Sequence, residues 1–165
     1  MKRFLTCILV ALLSIGAFAQ NEYISTFKFF KTQNIHNQLR LNTKTGEVIQ
    51  MQDDGQEFVL NYGITPENKT FRYWLYETQN MWTFILLDTF TGKLWQCQYS
   101  VKGVDYIFTI PINDRTLVDG TSNRFSIEPM TSMYQYYLID NETGNMWKFQ
   151  WSTKGDDYRW IERYR

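Results

Sequence analysis

The stretch from Met81 to Tyr106, MWTFILLDTFTGKLWQCQYSVKGVDY, recurs from Met133 to Tyr158 as MYQYYLIDNETGNMWKFQWSTKGDDY, 52 positions later. Laid on one another, the copies share Met, Leu, Asp, Thr-Gly, Trp, Gln, Ser, Lys-Gly and Asp-Tyr. Recurrence at a fixed period marks a supersecondary unit that cannot bury its apolar face alone and stacks on its neighbours. A third, more worn copy stands 46 positions upstream of the first. There Thr32-Gln33-Asn34-Ile35 lies under Thr78-Gln79-Asn80-Met81, and Leu41-Asn42-Thr43-Lys44-Thr45-Gly46 under Leu87-Asp88-Thr89-Phe90-Thr91-Gly92. The chain divides into three repeats, 23–64, 69–112 and 121–165, joined by turn-rich stretches at 65–68 and 113–120.

Each repeat reads as four short strands, because β-branched and aromatic residues alternate with polar ones and Gly, Asn and Asp punctuate the gaps. In the first strand Phe27 and Phe29, Tyr73 and Leu75, and Phe125 and Ile127 are expected to share a buried face. In the second strand the inward row is expected to be Ile35, Leu39 and Leu41, then Met81, Ile85 and Leu87, then Met133, Tyr137 and Ile139. In the third, Ile49 and Met51, Trp95 and Cys97, and Trp147 and Phe149 point inward, while Gln50, Gln52, Gln96, Gln98, Lys148 and Gln150 point out. Between the second and third strands, Asp88 to Gly92 and Asp140 to Gly144 place a carboxylate where it accepts from the N–H two residues on and a Gly where φ is positive. The fourth strand is expected at 58–62, 106–110 and 158–161.

The first nineteen residues read as an export signal: Lys2 and Arg3, an apolar run from Phe4 to Ile15, and Ala17-Phe18-Ala19 as a cleavage site. The expected product is secreted or periplasmic, begins at Gln20, and has no membrane span, because the apolar run falls short of the roughly 20 residues a bilayer requires. Without the signal the cations fall from 17 to 15 against 17 anions, and no basic stripe exists, which argues against nucleic acid. Cys97 is then alone, at a position where the other copies carry Met51 and Phe149, so it reads as a core residue.

Three four-stranded units suit an all-β single domain, 20–165, closed as a β-trefoil-like barrel, since closure removes free strand edges. The alternative is a propeller-like three-bladed repeat. The run Asp-x-x-Thr-Gly-x-x-Trp, at Asp88 to Trp95 and Asp140 to Trp147, resembles the turn of quinoprotein-type propeller blades, which implies blade-like units without assigning a cofactor.

No metal or catalytic set and no cofactor is expected. Lone His36 lies in a polar row with Gln38 and Arg40, and the two turn aspartates are explained by their turns. The aromatic load is the remaining signal. Trp74, Trp82, Phe84, Tyr134 and Tyr136 stand where the worn copy has Lys28, His36, Gln38, His36 and Gln38, so rings are expected on an accessible surface beside Gln96 and Gln98. Trp151 is likewise not explained by the core pattern. Ring faces with amide neighbours suit sugars. The expected function is a non-enzymatic binding module taking a glycan, with a structural or protein-interaction role in the cell envelope as the alternative.

Overall fold

The computed structural model describes residues 25–64, 71–121 and 123–164. The expected signal and its cleavage point near Ala19 lie outside the described residues. Sheet one contains β1 (Phe27–Lys31), β2 (Asn37–Asn42), β3 (Val48–Gln52) and β4 (Glu57–Asn61). Sheet two contains β5 (Tyr73–Glu77), β6 (Thr83–Asp88), β7 (Leu94–Gln98) and β8 (Phe108–Asn113). Sheet three contains β9 (Phe125–Pro129), β10 (Gln135–Asp140), β11 (Met146–Gln150) and β12 (Trp160–Arg163). Each is an antiparallel meander in chain order, and no ladder joins one sheet to another among the described residues. The barrel closure of a trefoil is therefore not seen; each repeat keeps its own sheet, as blade-like units do. No helix among the described residues is long and apolar enough to cross a membrane.

The sheets stack face to face, and apolar burial at two interfaces holds them. Leu39, Leu41 and Val48 of sheet one meet Tyr73, Leu75, Phe84 and Leu86 of sheet two. From the opposite side of sheet two, Ile85, Leu87 and Leu94 meet Phe125, Ile127, Leu138 and Phe149 of sheet three. Strand β6 is consequently buried along its whole length. The expectation of a single buried face per repeat is corrected by this arrangement. Phe27 and Phe29 lie on the outer face of sheet one, 43% and 58% exposed. Tyr137 and Ile139 are only partly covered on the outer face of sheet three, whereas Met133, partly covered too, packs against the interface with sheet two. The sheet-two counterparts of Tyr137 and Ile139, Ile85 and Leu87, are fully covered because sheet three packs on them.

Polar joints set the register of the stack. The N–H of Tyr73 donates to the Thr43 carbonyl at 3.0 Å, and at the equivalent place the N–H of Phe125 donates to the Thr89 carbonyl at 2.9 Å. Gln50, expected to face out, is fully buried: its Nε2 donates to the Ser100 carbonyl at 3.0 Å and its Oε1 accepts the Ser100 N–H at 3.3 Å. Gln96 repeats the accepting half of the device one sheet along, its Oε1 taking the Ser152 N–H at 3.2 Å while its buried Nε2 has no hydrogen-bond partner among the described residues. At the next equivalent position, where no further sheet follows, the residue is Lys148. Its ammonium lies 5.5 Å from the Trp160 ring centre.

The turn chemistry follows the sequence. Asn42, Asp88 and Asp140 each accept, through Oδ1, the N–H two residues on, at 3.0 Å in all three copies. Two arginines complete the turns of sheets two and three. Arg72 donates to Asp88 through Nε and Nη2 at 3.1 and 2.8 Å, and Arg124 donates to Asp140 at 3.2 and 2.9 Å. In sheet one Thr26 and Asn42, both neutral, stand at these places, and the Thr26 carbonyl accepts the N–H and hydroxyl of Thr43 at 2.8 and 3.0 Å. Cys97 is fully buried, and burial pushes its thiol up to about 12 although the Thr109 hydroxyl donates to it, so the protonated form persists.

Burial pushes the Asp140 carboxyl up, but hydrogen bonds from Arg124, the Thr143 hydroxyl and the Glu142 N–H outweigh it and hold the group at about 2. A carboxylate held below its unfolded value near 3.9 stabilises the fold fully above that value, and the contribution disappears as pH falls from about 4 toward 2. Urea midpoints measured across that window should fall steeply for the native chain and less steeply for Asp140→Asn. Equal slopes would show that the pair does not act this way.

Candidate functional site

Two cavities of about 140 and 150 Å³ open at the ends of sheets two and three. The first is lined by Trp82, Gln98, Tyr99, Ser100, Val101, Lys102 and Tyr106, the second by Tyr134, Gln150, Trp151, Ser152, Thr153, Lys154 and Tyr158. Every lining residue of one has its counterpart in the other 52 positions away. The same pocket has been built twice.

Local hydrogen bonds position each wall. In the turn before β6, Asn80 Oδ1 accepts the Trp82 N–H at 2.9 Å; before β10, Ser132 Oγ accepts the Tyr134 N–H at 3.4 Å. The next layer is a second ring. Trp82 lies 5.3 Å from Tyr99 and Tyr134 lies 4.9 Å from Trp151, centre to centre and tilted in both pairs. Tyr99 and Trp151 are fully buried and form the floors. Trp151 is thus a core residue, its indole N–H donating to the Met133 carbonyl at 3.0 Å. Tilted rings at this separation attract beyond the area they bury.

The remaining wall is a loop that the first repeat lacks. Between the third and fourth strands, repeats two and three carry six more residues than repeat one, which is why the offset changes from 46 to 52. Within this loop Val104–Tyr106 and Asp156–Tyr158 form short 3-10 turns that contain no buried residue. Ser100 and Ser152 side chains accept the N–H of Lys102 and Lys154 at 3.0 and 2.9 Å. Gln98 and Gln150 amides then tie the loop back by donating to the carbonyls of Tyr106 and Tyr158 at 3.1 and 3.0 Å. Gly103 and Gly155 adopt φ 130 and 131 with ψ 169 and −179, a region only glycine occupies readily. An added Cβ would meet nothing within 4 Å at either position, so glycine is required by the backbone and not by packing.

The partly exposed groups facing each cavity are Trp82 or Tyr134, the ammonium of Lys102 or Lys154, and the half-exposed ring of Tyr106 or Tyr158. The Lys154 ammonium rests 5.8 Å from the Tyr158 ring centre. Each pocket therefore offers aromatic faces for stacking and one cation for a directed contact.

Of the residues read from the sequence as an accessible surface, Trp82, Gln98 and Tyr134 line these pockets. Phe84, Tyr136 and Gln96 do not: at 3%, 4% and 0% exposure they belong to the interfaces between sheets. Phe84 and Tyr136 differ from Gln38 in their surroundings, because among the described residues no sheet packs over the sheet-one row that holds Gln38, whereas Gln96 shares the buried setting of Gln50. Trp74 faces another cavity, about 260 Å³, beside Phe71, Tyr76 and Asn123. The strand pattern gives no site signal for Lys102 or Lys154 and reads Tyr106 and Tyr158 as the first residues of the fourth strand, whereas the structure places both tyrosines in 3-10 turns. Their signal was present in Lys-Gly-x-Asp-Tyr, shared by two copies and missing from the third together with six residues of chain length.

The worn repeat keeps the place and changes the chemistry. A cavity of about 430 Å³ is lined by Asn34, His36, Asn37, Gln52, Asp53, Asp54 and Val101. His36 occupies the position of Trp82 and Asp53 that of Tyr99, and His36 Nδ1 lies 3.0 Å from Asp53 Oδ2. The backbone contact is common to all three copies: the N–H of Asp53, Tyr99 and Trp151 donates to the carbonyl of His36, Trp82 and Tyr134, at 3.1 Å each time.

In comparisons with known proteins, no family model, no curated protein and no solved structure matches this chain.

Alanine at Gly103 or Gly155 is expected to cost about 1–3 kcal/mol and to shift backbone amide resonances mainly within 100–107 or 152–159. The same change at Gly55, in the short turn of repeat one, gives the reference for a surface turn. Unchanged spectra and stability would show that the loop conformation is not held.

Proposed function

We propose that the chain is an exported, non-enzymatic binding module that takes a glycan in the twin pockets of repeats two and three. The carrying observation is the duplicated loop: it is six residues longer than in repeat one, its 3-10 turn buries no residue, its glycine holds a glycine-only conformation, and it closes one wall of an aromatic pocket in both copies. Turns that bury no residue of their own and adopt the same restricted backbone twice are best explained by what they contact outside the chain. The pocket chemistry suits sugars, whose C–H faces stack on Trp82, Tyr134, Tyr106 and Tyr158 while hydroxyls take hydrogen bonds from Lys102 and Lys154. Export rests on the sequence pattern at 1–19. For the architecture, complete meanders in chain order favour the propeller-like reading of the stack over the trefoil-like one.

A role in docking another exported protein has its own support in Phe27 and Phe29, exposed side by side on the outer face of sheet one. The pockets favour the glycan because their walls are pre-positioned by hydrogen bonds, whereas the Phe27 face is flat and shared with the Arg40–Glu57 pair.

Screening on a glycan array followed by titration of Trp fluorescence tests the reading. Tyr106→Ala and Tyr158→Ala, both at half-exposed positions, should each weaken binding at their own pocket by about tenfold or more. Trp82→Ala and Tyr134→Ala should do the same. Affinity unaltered by all four would exclude these pockets, and a partner displaced only by changes at Phe27 and Phe29 would favour the protein-docking role.

A further inference from the structure

We propose that the ligand is an extended, equatorially linked polysaccharide that occupies both pockets at once, successive disaccharides meeting repeats two and three. The inference rests on the glycan reading and adds linkage and length to it. Its first support is equivalence: seven lining positions recur at one offset, four with the same residue (Gln, Ser, Lys and Tyr) and two with one aromatic exchanged for another, so the two pockets present like chemistry in the same order. A ligand that fits one pocket fits the other in the same orientation. That is the relation between alternate units of a linear polymer and not between the two ends of a small molecule.

The second support is spacing. Stacked sheets pack about 10 Å apart, and Gln96 of sheet two holds the Ser152 N–H of the neighbouring pocket at 3.2 Å, fixing one pocket against the sheet that bears the other. This interval is close to the length of a disaccharide in a flat β-1,4-linked chain, in which every second ring presents the same face. An α-linked helical chain turns its rings away over the same distance.

The third support is an open lane. Val101 lines both the pocket of repeat two and the larger cavity of repeat one, so the row of sites continues across sheet one. Among the described residues the long loop of the other repeats has no counterpart at that end, and Asn34, Gln52 and Asp53 line it. A chain leaving the second pocket meets amides and a carboxylate suited to hydroxyls, not a wall.

Calorimetric titration of the intact chain with cello- and chito-oligosaccharides of two and six units tests the proposal. For at least one series the hexamer should bind one per protein and about 10²-fold more tightly than the dimer, which should bind two per protein. Tyr158→Ala, or Lys154→Ala should the first variant fold poorly, should abolish the gain while leaving dimer binding at the other pocket unchanged. Equal affinity for both lengths at two per protein would overturn the bridging proposal and leave the glycan reading standing. An equal gain with α-linked malto-oligosaccharides would overturn the linkage. Absence of binding by either β-linked series to the folded chain would overturn both this proposal and the glycan reading for chains of that kind.

Discussion

The joint between successive sheets is the constraint on which the other features depend. A backbone N–H at the start of one sheet donates to the turn carbonyl of the sheet before it, and a buried glutamine amide grips the backbone of the next loop. Apolar burial supplies the larger share of attraction but is non-directional, so it does not by itself choose a register. The polar joints do, because a buried amide or N–H left without a partner costs more than a made hydrogen bond gains. With the register chosen, sheet two is covered on both faces, and Val101 joins the cavity of repeat one to the pocket of repeat two.

The ends of the stack follow from the same logic. Repeat arrays need terminal units whose outer faces tolerate water. On sheet one the row that would meet a preceding sheet is His36, Gln38 and Arg40, with Arg40 Nη1 3.4 Å from Glu57. On sheet three the glutamine grip gives way to Lys148, whose ammonium rests near Trp160. What looks like wear in the first copy is largely the difference between an interior face and an end face.

This explains how much was legible. The three units, their strand order, the Asx-type turns and the burial of Cys97 follow from offsets and from a period of two, which are local properties. Which face of each strand meets water is not local. Periodicity distinguishes two faces without saying how many are covered, so Phe27 and Phe29 were placed inside while Phe84, Tyr136 and Gln96 were placed on the surface. Tyr106 and Tyr158 were misplaced for another reason: an aromatic residue after a glycine resembles the start of a strand, and only comparison of loop lengths between copies separates the two. Arg72 and Arg124 gave no pattern signal, because a single cation before a strand becomes meaningful only when the turn aspartate is brought to it.

The joint can be observed directly by hydrogen exchange in the native chain. The amides of Tyr73, Ser100, Phe125 and Ser152 each donate across from one sheet to its neighbour. If these contacts set the stack, all four should exchange as slowly as the amides of β6 and be released together with them. Exchange at the rate of the exposed loop amides of Gly103 and Gly155, with β6 still protected, would show that the sheets are registered by something else.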